Sequence, residues 1–65
     1  MKEKIRRATE MAWKKYGVKI KITFNPQGFD LGIDEPIYYK AQSQMVQDIQ
    51  DIIGLSYKNT DIYVL

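Results

Sequence analysis

Asp48 and Asp51 stand one helical turn apart and are the closest this chain comes to a catalytic pair, since general acid–base chemistry needs two carboxyls in distinct roles. A solvated helix face accounts for them far better, because two acids at this spacing are unselective. With Gln47 they could also approach a hard cation, but no third carboxylate converges and no EF-hand series is present. The nucleophile candidates are Ser43, Ser56 and three threonines, and the chain has no histidine to activate them. It also has no cysteine, which removes disulfides and thiolate metal sites. The glycines of Gly28-Phe29-Asp30-Leu31-Gly32 fall in a strand arm rather than at a strand-to-helix turn, so they do not form a phosphate-binding loop. The reading is a non-enzymatic protein without cofactor or metal.

Binding is the remaining class. The net charge of +2 is the sum of two unlike halves. Residues 1–24 hold eight cations against Glu3 and Glu10, whereas residues 25–65 hold Lys40 and Lys58 against six carboxylates. Lys4, Arg7, Lys14 and Lys15 lie on one arc of a first helix. Lys19, Lys21 and Tyr63 share a sheet face, so cations and a stacking ring could follow a nucleic-acid backbone. Asp30, Asp34 and Asp61 lie on or beside the same face, and no recognition-motif signature accompanies it. Glu3 with Arg7 and Glu10 with Lys14 are spaced for helical ion pairs, leaving Lys2, Lys4 and Lys15 as a modest basic patch. Trp13 sits at the margin of the helix's apolar stripe, and Tyr39, Tyr57 and Tyr63 can tolerate half-exposure. With Asp48 and Asp51 they are the candidates for a protein-binding surface.

The elements that must position these residues follow from periodicity. Ile5, Ala8, Ala12 and Tyr16 recur at helical spacing, predicting a helix over residues 2–16 that stops at Gly17. Val18, Ile20, Ile22 and Phe24 then alternate with Lys19, Lys21 and Thr23, predicting a half-buried strand. Asn25-Pro26-Gln27-Gly28 reads as a hairpin turn, with Gly28 available for a bulge. Pairing Phe24 with Phe29 sets Ile22 opposite Leu31 and Ile20 opposite Ile33, and brings Lys19 opposite Asp34. Asp34-Glu35-Pro36 resembles the first turn of a second helix, on which Tyr38, Ala41, Met45, Val46, Ile49, Ile52 and Ile53 share a face up to Gly54; its start is left open, since Ile37-Tyr38-Tyr39 could instead extend a strand. Lys58-Asn59-Thr60-Asp61 reads as a turn before a short strand, Ile62-Tyr63-Val64.

The expected fold is a single α+β domain over residues 1–65, in the order α-β-β-α-β. Two helices cover one face of a three-stranded sheet of order 2-1-3. A domain this small is stable by roughly 3 to 5 kcal/mol, so self-association is a plausible supplement. In that order the second strand is an edge guarded by Asp30, Gly32 and Pro36, while the strand at 62–65 is unguarded and available to a partner or to a second copy as a homodimer. No segment is long and apolar enough to span a bilayer and no leader pattern opens the chain, so the expectation is a cytoplasmic protein that does not engage membranes. The leading function is a small protein-binding regulator, adaptor or inhibitor, of the kind a phage or bacterium uses as an accessory product. Nucleic-acid binding and self-assembly are the alternatives.

Overall fold

A computed structural model describes residues 1–54 and 62–65 of the chain. Helix α1 (Lys2–Met11) runs into a wider π-helical turn, Ala12–Tyr16, that ends at Gly17 with φ 70°. Strands β1 (Ile20–Asn25) and β2 (Gly28–Ile33) form the hairpin, α2 spans Tyr39–Ile53, and β3 is Ile62–Val64. The result is the α-β-β-α-β order, with two helices and a mixed three-stranded sheet.

The core is one cluster. Ala8 and Ala12 of the first helical segment, Val18, Ile20, Phe29, Leu31 and Ile33 of the sheet side, and Met45, Ile49 and Ile53 of α2 are all buried. Two alanines at the contact let the first helix approach closely, because neither has a side chain to hold the backbones apart. The helices run in opposite directions: Lys4 lies near Gly54 and Tyr16 bonds Asp48. Both face the same side of the sheet, so the helical stripes and the strand alternation converge on one layer.

The hairpin register is as the alternation predicts: Ile20 pairs with Ile33, Ile22 with Leu31, Thr23 with Asp30 and Phe24 with Phe29. Asn25 pairs directly with Gly28, so Pro26 and Gln27 alone make the turn and there is no bulge. The Asn25 side chain supports it, its Oδ1 accepting the Gln27 N–H at 2.9 Å and its Nδ2 donating to Asp30 at 3.1 Å.

The expected strand order is overturned. β3 pairs in parallel with β2, not with β1, and the sheet order is β1-β2-β3. Burial gives the reason. Phe29, Leu31 and Ile33 of β2 are fully buried, whereas Phe24 of β1 is 39% exposed, and a strand whose apolar side chains all point into the core gains most from neighbours on both sides. Gly32 works in the same direction. A Cβ there would come within 2.8 Å of Leu65 and 2.9 Å of Tyr63, so its absence lets the β3 side chains close over the centre of the sheet. Lys19 and Lys21, which alternate along β1, mark an edge rather than a centre.

Two smaller corrections concern the helices. Arg6, not Arg7, holds the acids of α1, donating to Glu3 through Nε at 3.2 Å and approaching Glu10 at 3.8 Å. It lies three residues after one acid and four before the other, so one guanidinium serves both. The second helix starts at Tyr39 rather than at Pro36, and Tyr38, expected on its buried face, is 64% exposed and packs against Tyr39 with ring centroids 4.8 Å apart. Asp34 is drawn away from the helix start because its carboxylate accepts the Lys19 N–H at 2.9 Å, closing the open end of the hairpin.

Candidate functional site

In an antiparallel pair, successive residues direct their backbone groups alternately toward and away from the partner strand. The Asp34 N–H bonds the Lys19 carbonyl at 3.0 Å, which fixes the phase: Lys19, Lys21 and Thr23 face β2. The N–H and C=O groups of Ile20, Ile22 and Phe24 therefore point away from the sheet. β1 is an end strand, so no strand pairs with them among the described residues. A row of backbone donors and acceptors is left available over a six-residue strand.

Beside this edge, between it and the first helix, lies an open groove of about 620 Å³ lined by Arg6, Thr9, Glu10, Trp13, Lys19 and Ile20. Trp13 is its largest wall and is 56% exposed. The Lys19 ammonium stands 5.8 Å from the indole centroid, a cation–π distance that turns the lysine away from Asp34 and toward the helix. The Thr9 hydroxyl is occupied by the Ile5 carbonyl at 2.8 Å, and Arg6 is tied to Glu3 and Glu10. The wall is thus apolar in character with fixed charges at its rim. At the other end of the strand, Phe24 lies on the helix side of the sheet and remains partly uncovered.

A second constellation joins the helices. One oxygen of Asp48 accepts Lys15 Nζ at 2.8 Å and the Tyr16 hydroxyl at 2.6 Å, and the other accepts Gln44 Nε2 at 3.1 Å. Neighbouring residues of a regular helix diverge by 100°, yet Lys15 and Tyr16 converge on one oxygen, and both lie in the wider turn. The hydrogen bonds from Lys15 and Tyr16 hold the Asp48 carboxyl at a pKa of about 2, below its ordinary 3.8. The Lys15 ammonium is raised by its bond to Asp48. The Tyr16 phenol is raised by burial first and by its bond to the carboxylate second. Such a carboxylate stays ionised and fully engaged at neutral pH, which suits a clasp and not a proton-transfer group. Asp51 takes no part in it and, among the described residues, accepts Gln47 Nε2 at 3.4 Å. Among the described residues no three acidic, histidine or cysteine side chains gather as a metal site would require.

The residues singled out from sequence are therefore dispersed. Trp13 belongs to the groove, Asp48 to the clasp, Tyr39 to the exposed start of α2, and Tyr63 to the face opposite the helices, above Gly32. Ser56, Tyr57 and the turn at 58–61 lie outside the described residues. The cations divide as well: Lys15 is bound to Asp48, Lys19 stands over Trp13, and Lys4 approaches the end of α2 at Gly54. Arg7, Lys14 and Lys21 remain exposed. Sequence reasoning missed Arg6, Thr9, Glu10, Ile20 and Phe24 as one surface. Lys19 and Lys21, alternating at the start of the first strand, and a tryptophan at the margin of the apolar stripe were the legible traces of it.

Fold and surface together define a small α+β protein with an open sheet edge beside an aromatic groove. Comparison with known families, characterised proteins and solved structures finds no match to the chain. No helix among the described residues is long and apolar enough to cross a membrane.

Proposed function

We propose that this is a small non-enzymatic protein-binding protein, a regulator, adaptor or inhibitor, that takes an extended polypeptide segment along β1 with side chains seated against Trp13. The observation that carries this reading is the coincidence of an exposed tryptophan groove with an unpaired strand edge. Strand addition uses the two together: main-chain hydrogen bonds supply affinity, and pockets for alternate side chains supply specificity. A half-exposed tryptophan framed by arginine is also the residue type that dominates interface energetics. The acidic helix face is a weaker candidate than the sequence implied, because Asp48 is already engaged. The nucleic-acid alternative draws less support, since its cations lie on separate surfaces and two of them have internal partners.

The chain's single tryptophan makes the test direct. Tagged protein is used for capture from cell extract with and without nuclease, alongside Trp13→Ala. The expected result is a nuclease-resistant protein partner held at least about tenfold better by the unaltered chain than by the variant. Titration of that partner should shift Trp13 fluorescence to shorter wavelength as the indole leaves water. Capture that nuclease abolishes, or that Trp13→Ala leaves unchanged, overturns the reading.

A further inference from the structure

Resting on that reading of the β1 edge, we infer that its occupant is a second copy of the chain, paired β1 to β1 about a two-fold axis at Ile22. The sheet then becomes six-stranded, in the order β3-β2-β1-β1-β2-β3. Three features of one short strand make the surface complementary to itself.

The first is the backbone. Ile20, Ile22 and Phe24 direct their N–H and C=O groups outward, so an antiparallel copy centred on Ile22 satisfies all of them in one register. The second is side-chain shape. With Ile22 opposite its own copy, Ile20 faces Phe24, and the two-fold axis exchanges the ends of the strand. The exposed ring at one end of each copy meets the groove of Trp13, Thr9 and Ile20 at the other, on the same helix-covered side. An apolar projection and an apolar recess on one edge are thereby both filled.

The third is charge. In this register Lys21 stands opposite the partner copy's Thr23, and Thr23 is paired with Asp30 across the hairpin. Strands are about 4.8 Å apart, so a lysine side chain reaches over the threonine toward that carboxylate, and symmetry repeats the attraction. Lys19 lies opposite Asn25, and no like charges stand directly opposite, the two copies of Lys21 being diagonal to each other. An axis at Lys21 would set that lysine against itself. An axis at Thr23 keeps the faces in phase but pairs only Ile22 and Phe24 among the outward-facing residues and leaves Ile20 opposite Pro26, which has no N–H to donate. The axis at Ile22 is therefore the register that pairs all three outward-facing residues.

The test exploits the absence of cysteine from the chain. Light scattering of the full chain across a concentration series should show a monomer–dimer equilibrium. Under mild oxidation Ile22→Cys should give a disulfide dimer, since a hydrogen-bonded pair on the axis has Cα atoms about 5.5 Å apart, within bridging range. Thr23→Cys, offset along the strand from its own copy, should not cross-link. Neither should Val64→Cys, on β3. Phe24→Ala should weaken the dimer at least about tenfold and abolish the concentration-dependent blue shift of Trp13 fluorescence. A chain that is monomeric at every concentration overturns the proposal, as does efficient cross-linking at Thr23→Cys or Val64→Cys. If such a monomer still captures a protein through Trp13, the proposed function stands without the dimer. If neither capture nor dimer depends on the edge, both fail.

Discussion

The two edges of this sheet differ in nearly every respect that governs strand addition. β1 is six residues long and carries Lys21 on one face, with Lys19 just before it and a tryptophan groove at its side. β3 is three residues long, and its Tyr63 and Leu65 are folded back over Gly32. Residue composition ranks them the other way, since β3 reads Ile-Tyr-Val-Leu and β1 is interrupted by charge. Edge chemistry depends less on how apolar a strand is than on whether its outward backbone groups and flanking surface are free at once. A strand that spends its side chains on covering its own neighbour has little left for a partner.

That contrast can be broken most severely at the strand the edges share. Leu31→Ala removes a fully buried side chain from β2 and should cost about 3 kcal/mol, most of what a domain this size holds, so urea melts followed by circular dichroism should move to much lower denaturant. Proline then separates the edges. Ile22→Pro removes an outward N–H without touching the β1–β2 ladder, and should weaken association through β1 by about tenfold or more in light scattering. Val64→Pro is the matched change on β3, where the Leu65 N–H rather than that of Val64 bonds Ile33, and it should leave association unaltered.

Acid sharpens the comparison from the helix side. The Asp48 clasp fastens the end of the first helix, from which Gly17 and Val18 lead into β1. Its carboxyl titrates below the unfolded value, so its stabilisation is complete above about pH 4 and is lost as pH falls through about 2. In urea melts the unaltered chain should exceed Asp48→Asn by about 1 to 2 kcal/mol near neutrality, a figure lowered for the partial exposure of the group, and the gap should close in acid. The smallest effect is expected from Gly32→Ala. The added methyl displaces only the ends of Tyr63 and Leu65, costing about 1 kcal/mol or less. Hydrogen exchange should quicken at the Leu65 amide, just past β3, while β1 keeps its protection.

Much of the local structure was legible in the chain. The helix stripe through Ala8 and Ala12, the stop at Gly17, the turn at Pro26-Gln27 and the complete hairpin register all arise from contacts between residues close in sequence, whose geometry periodicity encodes. The site was legible in parts only. Trp13 stood out as a residue off the apolar stripe, but its companions Arg6, Glu10, Lys19 and Ile20 come from two elements whose separation no local spacing reports. Asp48 looked like a solvated acid because the helical wheel turns it about 100° from Ile49 and about 140° from Ile53, and nothing in that wheel says that another helix ends beside it.

What the sequence determined by itself was the set of elements, their buried faces and the pairing of the first two strands, because each of these is fixed by side-chain alternation over a few residues. Only the tertiary structure decided where β3 docks, and hence which strand is left open. Either side of the hairpin offers the same backbone bonds, and the choice turns on burial summed over the whole sheet and on the room that Gly32 leaves for Tyr63 and Leu65.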